Sequence, residues 1–164
     1  KKSLKLQRLE IQQKKKQRRR LLLIGAAVLL LILVILGASS LRSEIVPPVD
    51  PNDTVQVALG QQLYQAQCAS CHGPELEGAE NWKDRDPNGL IKAPPHDETG
   101  HTWHHGDAYL VDSIKHGGAR LSADVGISAM PAYENVLTNT EIAAVLAYIK
   151  STWPSDIIAA QSQR

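Results

Sequence analysis

Residues 21–38, LLLIGAAVLLLILVILGA, are eighteen consecutive positions without a charged or polar side chain. As a helix this run spans roughly 27 Å, close to the roughly 30 Å hydrocarbon core of a bilayer. In lipid, a lone segment satisfies its backbone only as a helix. A buried core helix is disfavoured, because a 164-residue chain has no core able to surround such a segment on every side. Gly37-Ala38-Ser39 resembles the cleavage site of a signal peptide. The apolar run, however, exceeds the roughly 7–15 residues of such peptides. No cysteine lies near it, which excludes a lipoprotein. We therefore expect a transmembrane helix over 21–41, retained as an anchor.

Charge gives the anchor a direction. The formal net charge is only +1, but it hides a separation. Residues 1–20 carry ten Lys/Arg against the single acid Glu10, a formal +9. The rest of the chain carries eight basic and sixteen acidic residues, a formal −8. Lys14-Lys15-Lys16-Gln17-Arg18-Arg19-Arg20 abuts the apolar run, whereas Arg42 is soon followed by Glu44 and Asp50. The positive-inside rule then puts residues 1–20 in the cytoplasm and the remainder beyond a bacterial cytoplasmic membrane, on its periplasmic or outer face. The basic block reads as a topology signal that can also meet anionic headgroups. No nucleic-acid partner is expected.

Pro47, Pro48 and Pro51 mark residues 42–53 as an extended, semi-rigid linker. A domain over 54–154 and a C-terminal tail over 155–164 follow. Asn52, Asp53 and Thr54 are helix N-cap candidates, and Val57, Gly60, Tyr64 and Cys68 then share one helical face. Gly60 inside a helix costs about 1 kcal/mol against Ala, which points to a helix crossing there. The expected partner is the C-terminal helix. It opens with the capping box Thr138-Asn139-Thr140-Glu141 and carries the stripe Ile142, Val145, Leu146, Ile149 and Trp153, with Pro154 as a stop. A shorter helix fits 107–116, ahead of Gly117-Gly118. No strand alternation stands out, so the fold class is all-α. Aromatics are only 4% and Phe is absent, so the core is thin. The long loops 73–105 and 117–137 need something to wrap around.

Cys68-Ala69-Ser70-Cys71-His72 supplies it. This is the c-type haem attachment spacing. Two thiols three positions apart add to the two vinyl groups of one porphyrin, and the adjacent imidazole ligates the iron. A thioredoxin-like pair would need a βαβ context, which is missing. A zinc site would need a second pair, for which only the histidines of 96–105 offer themselves. A six-coordinate iron needs another ligand. The only methionine, Met130, stands 58 residues after His72 in Ser128-Ala129-Met130-Pro131, and proline holds its predecessor extended. One of the other five histidines is the alternative. His/Met ligation raises the reduction potential relative to His/His.

With these residues in place, the chain resembles the class I c-type cytochromes over about 54–154. The shared pattern is Gly60 and Tyr64, then Cys68, Cys71 and His72, then Met130-Pro131, then Val145-Leu146-Ala147-Tyr148-Ile149. The resemblance implies a cytochrome c fold, a few helices wrapped around one covalent haem c. It implies that a proline carbonyl, Pro94 or less closely Pro95, accepts a hydrogen bond from His72. It also implies that Trp103 bonds a haem propionate. The departures are the missing Phe and the stretch His96 to His105. For that stretch three readings stand: a polar loop over the haem edge, a loose metal site, or a pH sensor.

The expected role is single-electron transfer between redox proteins, not enzymatic catalysis, because His72 and Met130 would leave no open iron position. The chain is expected to serve a respiratory or photosynthetic complex. The mono-haem subunit of an alternative complex III-type assembly is one candidate and a haem-bearing accessory subunit of a terminal oxidase another. The reading from a different class is a gas- or peroxide-binding haem sensor or enzyme, in which Met130 dissociates.

Overall fold

The computed structural model describes residues 3–121 and 125–164; in its first helix the side chains of 4–9 and 34–44 are not described. The backbone divides into two units, Lys1–Glu44 and Ile45–Arg164. The first unit is one helix, α1 (Leu4–Glu44), which joins the basic block and the apolar run without a break. Leu21 to Leu33 leave their large side chains about half or more exposed. Among the described residues no helix is long and apolar enough to cross a membrane. The expected span over 21–41 passes beyond them, since its side chains from 34 onward lie outside the description.

The second unit is mostly helical and is built on α2 (Thr54–Gln67) and α5 (Asn139–Ser151). Of the three cap candidates Asp53 takes the role, its carboxylate accepting from Val55 N (2.9 Å) and Gln56 N (3.1 Å). At the other helix the capping box forms as expected, Thr138 and Glu141 bonding each other's backbone N–H. The two helices cross at Gly60. A Cβ there would stand 1.9 Å from Ala144 O, so only glycine permits the approach. The apolar stripe of α5 is buried from Ile142 to Ile149, and Trp153, just past the helix end, is buried with it. On one side it joins Tyr64 and Leu76; on the other it joins Leu110, Val111 and Leu137, the first two from α4 (Asp107–His116).

Two segments differ from the sequence expectation. The linker 42–53 is not a free spacer. Its first residues belong to α1, and Val46 and Val49 pack on the Leu110–Ile142 cluster. Gln56 then fixes the strap by donating from Nε2 to Pro48 O (3.0 Å) and accepting from Asp50 N (2.8 Å). The two valines beside the prolines override the composition signal. Residues 155–164 are likewise not a tail. Pro154 precedes a further helix, α6 (Ser155–Gln161), whose Ile157 and Ile158 pack on the core.

Gln161 is 2% exposed and locks α6 in place, donating to His105 O (3.1 Å) and to Asp107 Oδ1 (2.7 Å). Asp107 also receives Lys150 Nζ at 2.8 and 3.0 Å. The Lys150 side chain is 7% exposed and that of Asp107 38%. Removing the acid therefore leaves a buried ammonium without a partner. Breaking a fully buried pair costs about 3–5 kcal/mol and an exposed one about 0–1. We expect Asp107→Ala to cost about 2 kcal/mol in urea unfolding, between those limits. Lys150→Met should be near neutral. A loss under about 0.5 kcal/mol for Asp107→Ala would mean that water already solvates the lysine.

Candidate metal centre

The C-terminus of α2 delivers the chemistry. Cys68 closes α2 and starts a single helical turn, α3 (Ala69–His72), which ends at Gly73. Cys71 N and His72 N both bond Cys68 O, at 3.1 and 3.0 Å. One turn therefore carries both sulfurs and the imidazole. The thiols are free, with Cys71 exposed and Cys68 half-buried. Burial, with the neighbouring Cys71 thiol adding to it, pushes the Cys68 thiol up to about 11. Tyr64, one turn before Cys68, is fully buried and donates its hydroxyl to Gly73 O (2.9 Å) and His72 O (3.3 Å). Sequence periodicity places Tyr64 on the inner face. Its bond to the far side of the motif has no signal in the sequence.

His72 is 7% exposed, and its Nδ1 lies 2.9 Å from Pro94 O. A carbonyl can only accept, so Nδ1 carries the proton and Nε2 keeps its lone pair. Burial holds the imidazole below its usual range, against the opposing effect of the Pro94 bond, and so keeps it neutral at pH 7. Pro94 thus makes the bond that the resemblance implies. Pro95 instead accepts from Thr102 Oγ1 (3.4 Å). The Pro94 segment comes this close because Gly78, at φ +73°, leaves room: a Cβ there would stand 2.4 Å from Pro95 N. His96 stacks on His72 with ring centroids 4.1 Å apart and planes 21° apart. Its position is fixed by Trp153 Nε1 donating to His96 O (2.7 Å) and by Thr102 Oγ1 at 2.8 Å from Nδ1.

Met130 is half-buried in the loop before α5. Its N–H donates to Ser128 Oγ (3.2 Å) and its carbonyl accepts from Gly118 N (2.8 Å), just past α4. Three residues on, Tyr133 donates its hydroxyl to Gln67 O (2.7 Å), the residue before Cys68. This clasp ties the methionine loop to the cysteine turn across 66 positions. On its other side, Ile91 N bonds Ile127 O (2.8 Å), which lays the loop along the segment after the motif. Trp103 packs against the same cluster as Cys68. Its indole N–H donates to Glu98 O (3.2 Å), within its own loop.

The structure therefore joins Cys68, Cys71, His72 and Pro94 directly, links Met130 to them through Tyr133, and gives the Trp103 donor a local partner. Two free thiols on one turn, beside a neutral imidazole with an available Nε2, are the donor set that a covalent haem requires. A mostly helical unit carrying that set is a class I c-type cytochrome. The chain belongs to the family described as Cytochrome C oxidase, cbb3-type, subunit III, which matches residues 55–149. No curated protein and no solved structure matches the chain. Membership of a c-type cytochrome family implies covalently bound haem c and the role of an electron carrier.

Proposed function

We propose that the chain is a membrane-anchored, mono-haem cytochrome that passes single electrons at the outer face of a bacterial membrane, as a subunit of a respiratory complex of the oxidase kind. The observation that carries the electron-transfer reading is the pairing of His72, kept neutral by burial and oriented by Pro94, with a Met130 loop clasped to the cysteine turn by Tyr133. Cys68 and Cys71 would hold the haem by thioether links, and His72 and Met130 would be its axial ligands. When bound, haem c supplies a one-electron couple. The protein's part is to hold both ligands in place through the change of oxidation state. Met130 is set by backbone bonds on both sides, which favours full coordination over an open position for gas or peroxide.

Three features support the anchor and the complex. The apolar run of α1 exposes its large side chains along 21–33, the basic block precedes it on the same helix, and the family description is that of an oxidase subunit. The acidic balance of residues 21–164 suits docking to a basic face on a redox partner.

The test is the spectrum of the full chain matured with haem. The expected result is a thioether-haem α-band on reduction, a sulfur-to-iron charge-transfer band on oxidation, and no rapid binding of carbon monoxide at neutral pH. Rapid binding of carbon monoxide would overturn the carrier reading in favour of a sensor. For the anchor, the chain should remain in membranes through an alkaline carbonate wash, and release by the wash would refute it.

A further inference from the structure

The loop after Pro94 carries histidines that the electron-transfer reading does not use. His101 and His105 flank a short 3-10 turn, Thr102–His104, and their rings stand nearly perpendicular, 78° apart. Their Nε2 atoms face each other at 3.3 Å. Two metal–nitrogen bonds of about 2.0–2.1 Å, opened to a tetrahedral angle, place their nitrogens about 3.3–3.4 Å apart. The two nitrogens already stand at the separation that such an ion demands. Without an ion the same contact is a long N–H···N hydrogen bond, one ring donating and the other accepting.

We propose that His101 and His105 form a surface site for a divalent first-row transition-metal ion, with zinc matching the geometry, water completing the coordination, and no dependence on the haem.

The surroundings are built for this. The backbone beneath the pair is fixed before any ion arrives. Gly100 lies so close to Pro95 that a Cβ would stand 2.1 Å from its carbonyl oxygen. His104 N bonds His101 O (3.1 Å), His105 N bonds Thr102 O (3.2 Å), and the buried Gln161 holds His105 O. The His105 ring lies flat on Tyr109 with centroids 4.0 Å apart and planes 13° apart, which sets its Nε2 direction. Arg120 covers Tyr109 at 4.0 Å, and its charge is met by Asp112 at 2.6 Å. Burial first, and then the neighbouring histidines, hold both rings below the usual imidazole range, which favours the neutral form that binds a metal. Arg120 and Arg164 depress His105 further. His104 stacks on Trp103 with centroids 3.7 Å apart, and its ring centroid is 6.0 Å from that of His101. Among the described residues no group of three or more His, Cys, Asp or Glu side chains could hold an ion. The protein therefore offers two ligands, which makes the site exchangeable rather than structural.

The experiment titrates the haem-loaded, tag-free full chain in detergent with zinc chloride alone, followed by calorimetry and by zinc-edge X-ray absorption. The expected result is one zinc per chain with two imidazoles in its first shell. His101→Ala and His105→Ala should each weaken binding about tenfold or more, since even the loss of an outer-shell partner costs about that much. His104→Ala should stay within about twofold. No bound zinc, an imidazole count other than two, or affinity unchanged in both variants would overturn the proposal. If either alanine variant fails to fold by circular dichroism, the imidazole count in the wild-type protein still decides.

Discussion

Met130→Ala is expected to lower the reduction potential of the haem-loaded chain on the order of 0.1 V or more, a modest part of the roughly 0.8 V over which axial ligands move haem potentials. A thioether favours the reduced iron relative to water or imidazole in the same position, so its loss favours the oxidised form. The charge-transfer band from sulfur should vanish, and carbon monoxide should then bind. The fold should survive, because Met130 is held by its backbone and its side chain is only half-buried. Spectroelectrochemical titration of both forms measures the shift. An unchanged potential would mean that a histidine holds the sixth position and that Met130 fills a gap.

Tyr133→Phe separates ligand identity from ligand positioning. It removes only the hydroxyl that bonds Gln67 O at 2.7 Å, a contribution of about 1 kcal/mol. The sulfur band should persist at room temperature but disappear at a lower temperature or denaturant concentration than in the parent, while the potential barely moves. Equal persistence in both proteins would show that the bonds from Ser128 and Gly118 alone hold the loop.

The readable parts of this chain are those whose determinants are close in sequence. The turn bearing Cys68, Cys71 and His72 was legible because one helical turn holds all three. Helix α4 was legible because Gly117 ends it and Lys115 and His116 sit in its last turn, where the helix dipole favours cations. The capping box of α5 needed only four adjacent residues. What was not legible depends on distance. Val46 and Val49 sit among prolines and an acid, and only the apolar cluster of Leu110 and Ile142 turns that stretch from a spacer into a strap. Helix α6 reads as a tail in the sequence; its most buried residue is Gln161, whose amide is satisfied by partners 54 and 56 positions away. The clasps of Tyr64 and Tyr133 likewise end on backbone carbonyls, which any residue can supply, so no residue type marks them.

Gly60 is the exception, a long-range contact written in one residue, and it supports the second large effect. Gly60→Ala is expected to destabilise the haem domain by about 3 kcal/mol, at the upper end of typical overpacking costs. Helix propensity alone would favour alanine by about 1 kcal/mol, so the sign of the result decides which effect governs. The added Cβ would stand 1.9 Å from Ala144 O, 2.5 Å from Ala144 C and 2.9 Å from Tyr148 Cβ. The first two are backbone atoms of α5, which no rotamer change can move. Relief requires α2 and α5 to part, and that loosens Tyr64 and Val145 in the core that carries Cys68. The double variant Gly60→Ala/Ala144→Gly should therefore show no rescue in urea unfolding, because the obstruction is a carbonyl and not the Ala144 methyl. Recovery of more than about 1 kcal/mol in the double variant would mean that side-chain packing, rather than backbone approach, sets the helix separation.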